Sequence, residues 1–317
     1  IYWVLLWLVV GNALLGIGET AVNQQLIPPT NADGTPFIDA QFRPWALFGH
    51  PLNNALITGT GMIVAYPTIR NPLLRLTLPL LLLISLLAFG GRVAFVASLA
   101  ALLLLVVGEF GRDVSRRRFT PTRGIFVLLL LLAVPLAVFG VFSATGLGDR
   151  ILDNLVWDNS AEVRLQVFRL IDFLSTNELL FGVSATKLAY LSSRIGREGI
   201  IIENFWLVML ARMGVLLFLL FTVAFFVFLS RLWRDAAGAA RLALVYFVLI
   251  ASTNNSLSSK NVALSLIVAL MIGAGAVLRA PPRRRALPVR SAPDLARLRA
   301  RQLRSAVRPA GPVQIDR

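Results

Sequence analysis

"IIIENFWLVMLARMGVLLFLLFTVAFFVFL", residues 200–229, decides in which solvent this chain folds. A hydrocarbon core of about 30 Å is crossed by about 20 helical residues, and this run is longer, with only Glu203 and Arg212 charged. The rest of the chain is of the same kind. Of its 317 residues 57% are hydrophobic and 15% charged, and the mean hydropathy is +0.75. These values belong to an integral membrane protein and exclude an ordinary water-soluble domain. With no cysteine and a single histidine, His50, disulfides, thiolate metal sites and a histidine-rich zinc or redox centre are excluded as well. The first residue, Ile1, already lies inside an apolar run without a basic leader, so the sequence reads as the carboxy-terminal portion of a longer protein.

Apolar stretches of span length fall at about 1–18, 50–68, 73–89, 93–109, 124–145, 200–229, 242–254 and 261–279, which predicts a polytopic all-α helix bundle of eight spans. The seventh is short and reaches across only if "TNNSLS" prolongs its helix. Most of the 31 Lys and Arg collect in 69–75, 110–123, 230–241 and the tail, which assigns those segments to the cytoplasmic side. The loops 19–49, 90–92, 146–199 and 255–260 are then external. A basic, Pro-rich tail over 280–317 reads as disordered against anionic lipid, beside a transmembrane domain over 1–279. The +15 net charge is therefore a topology signal and not a nucleic-acid footprint.

Four places in the external half carry groups suited to chemistry. In "NSAEVRLQVFRLIDFL" (159–174), Asn159 and Glu162 are spaced as a capping box, which predicts a helix from about residue 160. Its apolar stripe is Val163, Val167, Leu170, Ile171 and Leu174, with Arg164 at the margin and Arg169 on the far side. Both arginines can equally be headgroup contacts of an interfacial helix. In "LLAFGGRVAFVASLA" (86–100) a Gly-Gly turn holds Arg92 at the membrane boundary, as a snorkelling anchor or as a fixed cation. Arg43 precedes a stretch rich in small and polar residues, Asn53, Asn54, Thr58, Gly59, Thr60 and Gly61, suited to close helix packing or to a polar cavity. His50 there reads as a packing residue at a helix start. Glu203 and Arg212 are nine residues apart, about 180° around and about 13.5 Å along a straight helix, so they cannot pair with each other. Charges at membrane depth need a partner or a function. Glu203 takes the functional reading at the outer mouth beside an interfacial one, and Arg212 that of structural support.

The order of these features resembles the O-antigen ligase and Wzy-type polysaccharide polymerase superfamily. The likeness rests on "GHPLNN" (49–54) ahead of a span, the hairpin "GGR" (90–92), "VRLQVFRL" (163–170) followed by "NELLFGVSATKL" (177–188), and "ENFWLVMLARMG" (203–214). It extends over about residues 41–230. In that family the last motif usually opens His-Asn; here Glu203 stands in the His place and Asn204 in the Asn place, which leans towards the exopolysaccharide polymerase branch and away from the ligase.

The resemblance implies a C-type glycosyltransferase architecture in the bacterial inner membrane with its site facing the periplasm. The donor would be a glycan linked to undecaprenyl diphosphate, the acceptor a glycan hydroxyl, and neither metal nor cofactor would be needed. A chain-length regulator and export proteins would be partners, with membrane lipid around the spans and no nucleic acid. Arginine supplies always-charged bidentate donors to a leaving diphosphate, and Arg92 and Arg164 take that role, with Arg43 and Arg169 in reserve. Glu203 with Asn204 would activate or orient the acceptor hydroxyl. Two alternatives stay open at this point. One is a ligase passing finished glycan to a lipid acceptor, and the other, from a different class, a transporter in polysaccharide export.

Overall fold

The computed structural model describes residues 1–28, 42–116, 167–195, 204–236, 238–254, 257 and 262–279, with six more between 124 and 140. Within these every regular element is helical: α1 (Tyr2–Val22), α2 (Pro51–Ala65), a 3-10 turn (Tyr66–Thr68), α3 (Pro72–Ala88), α4 (Arg92–Ser115), a second 3-10 turn (Val167–Phe173), α5 (Thr176–Phe181), α6 (Ala185–Ile195), α7 (Phe205–Asp235), α8 (Gly238–Ser252) and α9 (Ala263–Arg279). Of these, α1, α4 and α7 are long and apolar enough to cross a membrane, while α3, α8 and α9 are shorter apolar helices. Of the expected span at 124–145, Gly124, Ile125, Leu128, Leu132, Leu136 and Gly140 are described, each helical. The chain divides into two units, Ile1–Leu278 and Arg279–Arg317; the tail beyond Arg279 lies outside the described residues.

At the centre stands α2, in which every residue but Leu52 is buried. Its small and polar residues explain this position, since helices approach closely in a bilayer only where side chains are small. A Cβ on Gly59 would run into the Tyr246 hydroxyl of α8, and Gly61 lies against Val9 of α1. The Tyr246 hydroxyl donates to the Ala55 carbonyl at 3.3 Å. At one end of the bundle Tyr2 meets Thr68 at 2.9 Å, and Arg75 of α3 pairs with Glu109 of α4 while lying over the Tyr66 ring. At the other end Gly16 of α1 lies against Phe89, and a Cβ on Gly91 would stand 2.8 Å from that of Ala55. Neighbouring helices α1 to α4 therefore run alternately up and down.

Three sequence expectations are corrected. First, the run at 200–229 is not one helix. Helix α7 begins at Phe205, and Gly214 within it has φ 69 and ψ 166, a conformation open in practice to glycine alone. The two arms fold back on each other. Phe205 meets Phe221 with ring centroids 6.0 Å apart, and Trp206 stacks on Phe226 at 6.1 Å, whereas one straight helix would hold Phe205 and Phe221 about 24 Å apart. The long arm, 215–235, still has the length of a span. Second, of the helix expected from residue 160, the described part, Val167–Phe173, is a 3-10 turn. At three residues per turn Val167 and Leu170 eclipse and are buried, and Ile171 rotates out of the stripe to 37% exposure. The capping box at Asn159 and Glu162 lies outside the described residues. Third, α8 ends at Ser252 and gains its length backwards to Gly238, so "TNNSLS" does not prolong it.

Candidate functional site

The broken helix leaves a second layer, joined to the main bundle at the end of α8. Val167, Leu170, Leu188, Leu191, Leu207, Val208 and Ala211 form a separate apolar cluster, so the segment 167–195 packs on the short arm, 205–213, of α7. The contact is closest at two glycines. A Cβ on Gly182 would strike the Arg212 carbonyl, and one on Gly214 would strike the Leu180 carbonyl and stand 2.6 Å from the Gly182 amide nitrogen. The Val183 amide donates to the Ala211 carbonyl at 2.8 Å. A helix that stops at a break leaves its last carbonyls without helical partners, and the loop supplies one donor.

The opposite end of the short arm is capped by Asn204, whose Oδ1 accepts from the Leu207 amide at 3.1 Å. The Phe205 amide donates to the Asn254 carbonyl at 2.9 Å, and Trp206 Nε1 donates to Ser252 Oγ at 2.8 Å. Asn204, half-buried, is thus fixed against the far end of α8. Glu203 is the residue before it and lies outside the described residues, as does Arg164. Arg212, exposed, is two residues short of the break.

Arg92 is exposed and is the first residue of α4, after a turn in which Gly90 has φ 70 and Gly91 is the N-cap. Arg43 is half-buried in the segment 42–50 that leads into α2. Two features bring these arginines to the same end of the same helix. The Gly91 turn abuts Ala55, and Asn54, next to it, holds the Arg43 segment by donating to the Trp45 carbonyl at 2.6 Å and accepting from the Phe48 amide at 3.3 Å. Arg169, exposed, is carried by the 3-10 turn that packs on the short arm. His50 is the N-cap of α2, its Nδ1 accepting from the Leu52 amide at 3.2 Å.

Two residues that no motif marks, Asn12 and Glu19, also belong to this place. Both are fully buried on α1, and both accept hydrogen bonds from the Arg43 segment: Leu47 to Asn12 Oδ1 at 2.9 Å and Ala46 to a Glu19 oxygen at 3.1 Å. The available signal was an acidic residue closing an apolar run with no basic residue near it in sequence.

An apolar groove of about 260 Å³ lies between α7 and α8, lined by Phe226, Leu229, Ser230, Trp233, Leu244, Val245 and Val248. None of the candidate polar residues lines it. No protein-family model, curated protein or solved structure matches the chain.

Proposed function

We propose that the chain polymerises oligosaccharide repeats carried on undecaprenyl diphosphate into a surface or exopolysaccharide, by metal-independent glycosyl transfer at the outer face of a bacterial inner membrane. The observation that carries this reading is that the Arg43 segment and the Arg92 turn meet at the start of α2, with Asn204 separately fixed against the end of α8. The motif order supports the family and the C-type architecture it implies, and the apolar stretches and charge pattern support eight spans with an external loop.

In the proposed reaction an acceptor hydroxyl oxygen bonds to the anomeric carbon of the donor as that carbon's bond to the diphosphate oxygen breaks. The electron pair leaves with the diphosphate. Arg92 and Arg164 neutralise the developing charge, backed by Arg43 or Arg169, and Glu203 takes the hydroxyl proton. Because Asn204 Oδ1 is taken by the Leu207 amide, its Nδ2 would be the atom that orients the acceptor. The prenyl chain stays in the bilayer, which accounts for a polar site at the end of an apolar bundle.

Replacing Arg92 with Ala, at unchanged membrane level, should stop chain growth and leave short lipid-linked repeats on a gel. Normal polymer length sinks the proposal. Long chains not joined to an acceptor would point to the ligase, and solute movement without new glycosidic bonds to the transporter. Glu203→Gln should bind donor and fail in turnover.

A further inference from the structure

Three successive backbone amides in the Arg43 segment are taken by three buried side chains. Ala46 donates to Glu19 Oε2 at 3.1 Å, Leu47 to Asn12 Oδ1 at 2.9 Å and Phe48 to Asn54 Oδ1 at 3.3 Å. Asn54 also donates to the Trp45 carbonyl at 2.6 Å. All three side chains are at 0% exposure, two on α1 and one on α2. The other Glu19 oxygen, Oε1, accepts from Leu26 at 3.0 Å and Ile27 at 3.3 Å, so this one carboxylate ties together the chain leaving α1 and the chain approaching α2. From the first of these, Gln25 Nε2 donates to the Arg43 carbonyl at 3.4 Å.

Backbone geometry agrees with a held strap. Arg43 precedes Pro44, which restricts Arg43 to extended conformations. Ala46 sits at φ 41, which an alanine keeps only where its surroundings fix it. A buried carboxylate is costly at the edge of a bilayer, and ordinary packing of a loop needs none. Charge-assisted bonds to backbone are about twice as strong as neutral ones and add geometric specificity. Such an investment suits a segment whose position must be set within a fraction of an ångström, as a phosphate-binding side chain requires.

We infer that Glu19 is a positioning residue, which with Asn12 and Asn54 holds the strap 42–48 so that Arg43 meets the diphosphate of the donor. The inference rests on the reading of this end of the bundle as a diphosphate site. It makes Arg43 a working ligand and not a reserve one, and it gives Glu19 no contact with substrate. Glutamine in place of Glu19 keeps one acceptor oxygen but turns an NH₂ towards an N–H donor, so one side of the tie opens while the volume is kept.

The test is binding of farnesyl diphosphate to purified protein in detergent, with wild type, Glu19→Gln, Arg43→Ala and the double variant, alongside polymer formation in membranes. Arg43→Ala and Glu19→Gln should each weaken binding about tenfold, and the double variant should bind no worse than Arg43→Ala alone. In turnover the loss should fall on KM more than on kcat. A merely structural Glu19 would weaken binding in the Arg43→Ala background too, and that additive result overturns the inference. So does unchanged binding in Glu19→Gln. If Glu19→Gln fails to fold, Asn12→Ala removes the acceptor of Leu47 alone and must show the same dependence on Arg43. Wild-type membranes that make no polymer would instead remove the reading of the site itself.

Discussion

Helices α2 and α7 are built on opposite plans. The first is buried along its length and carries Asn53, Asn54, Thr58 and Thr60 inside the bundle. The second holds the most apolar window among the described helices of span length, mean hydropathy 2.6, yet only 17% of that window is buried. In water the apolar helix would be the core and the polar one the surface. In a bilayer the tails are as apolar as leucine, so hydrophobicity marks contact with lipid, while small and polar residues mark contact with protein. The difference teaches that a very hydrophobic run is a poor guide to the centre of this fold. It is also where a break can hide, because apolar residues on either side of Gly214 suit one long helix or two packed arms equally well.

The largest effect that would break the comparison is expected at Gly214. Alanine there must adopt φ near 69 and meet the Leu180 carbonyl, at a combined cost on the order of 3 kcal/mol. Thermal unfolding in detergent should move by the corresponding amount, and unchanged unfolding would mean that α7 is continuous. The chain has no cysteine, so a second check is clean: cysteines at 205 and 221 should be joined by a short bifunctional thiol reagent, which cannot span a straight helix. On the α2 side Gly59→Ala should cost about 2 kcal/mol by forcing α8 away, with part of that recovered in Gly59→Ala/Tyr246→Phe, where the clashing hydroxyl is gone. Simple additivity would deny that this contact sets how closely α2 approaches. A smaller loss of about 1 kcal/mol is expected for Asn204→Ala, and almost none for Asn204→Asp, which keeps an acceptor for the Leu207 amide.

Much of the bundle was legible in the residues, and for a definite reason. Local composition reports what surrounds each helix, so the stretch 50–68 announced its close packing through glycine, threonine and asparagine. The Gly-Gly turn before Arg92 announced itself through conformational freedom. The folded-back arm did not, because its cause is non-local: Phe205 finds Phe221 and Phe225 only once Gly214 has turned the chain and Gly182 has let the loop approach. The role of Glu19, though its isolation in an apolar run is a signal, was illegible for another reason. Its partners are the backbone amides of Leu26, Ile27 and Ala46, and amides carry no side-chain identity for a sequence to display. Of the candidate site, the residue types at the α2 start were readable, but the strap that carries Arg43 was not.

The mildest probe concerns how the loop that meets α7 is itself held. Glu178 completes a capping box with Ser175 at the start of α5 and pairs with Lys187 of α6. The Lys187 ammonium first, and then the Ser175 amide and hydroxyl, hold its carboxyl well below the usual carboxylate range, down to about 2. A carboxylate whose folded pKa is depressed contributes stability that is whole above its unfolded value of about 4.5 and fades as pH falls towards the folded one. Amide hydrogen exchange in the 176–191 region should therefore show protection that is steady near neutrality and declines between about pH 4.5 and about pH 2 once corrected for intrinsic exchange. In Glu178→Gln protection should start lower and not vary over that window, because no charge remains to be lost. Since α5 reaches α7 through Gly182 and the Ala211 carbonyl, the decline should extend to the short arm at 205–213 and leave α2 untouched. A decline shared equally by α2 would mean that the two helices belong to one cooperative layer, and the contrast between them would then describe composition but not stability.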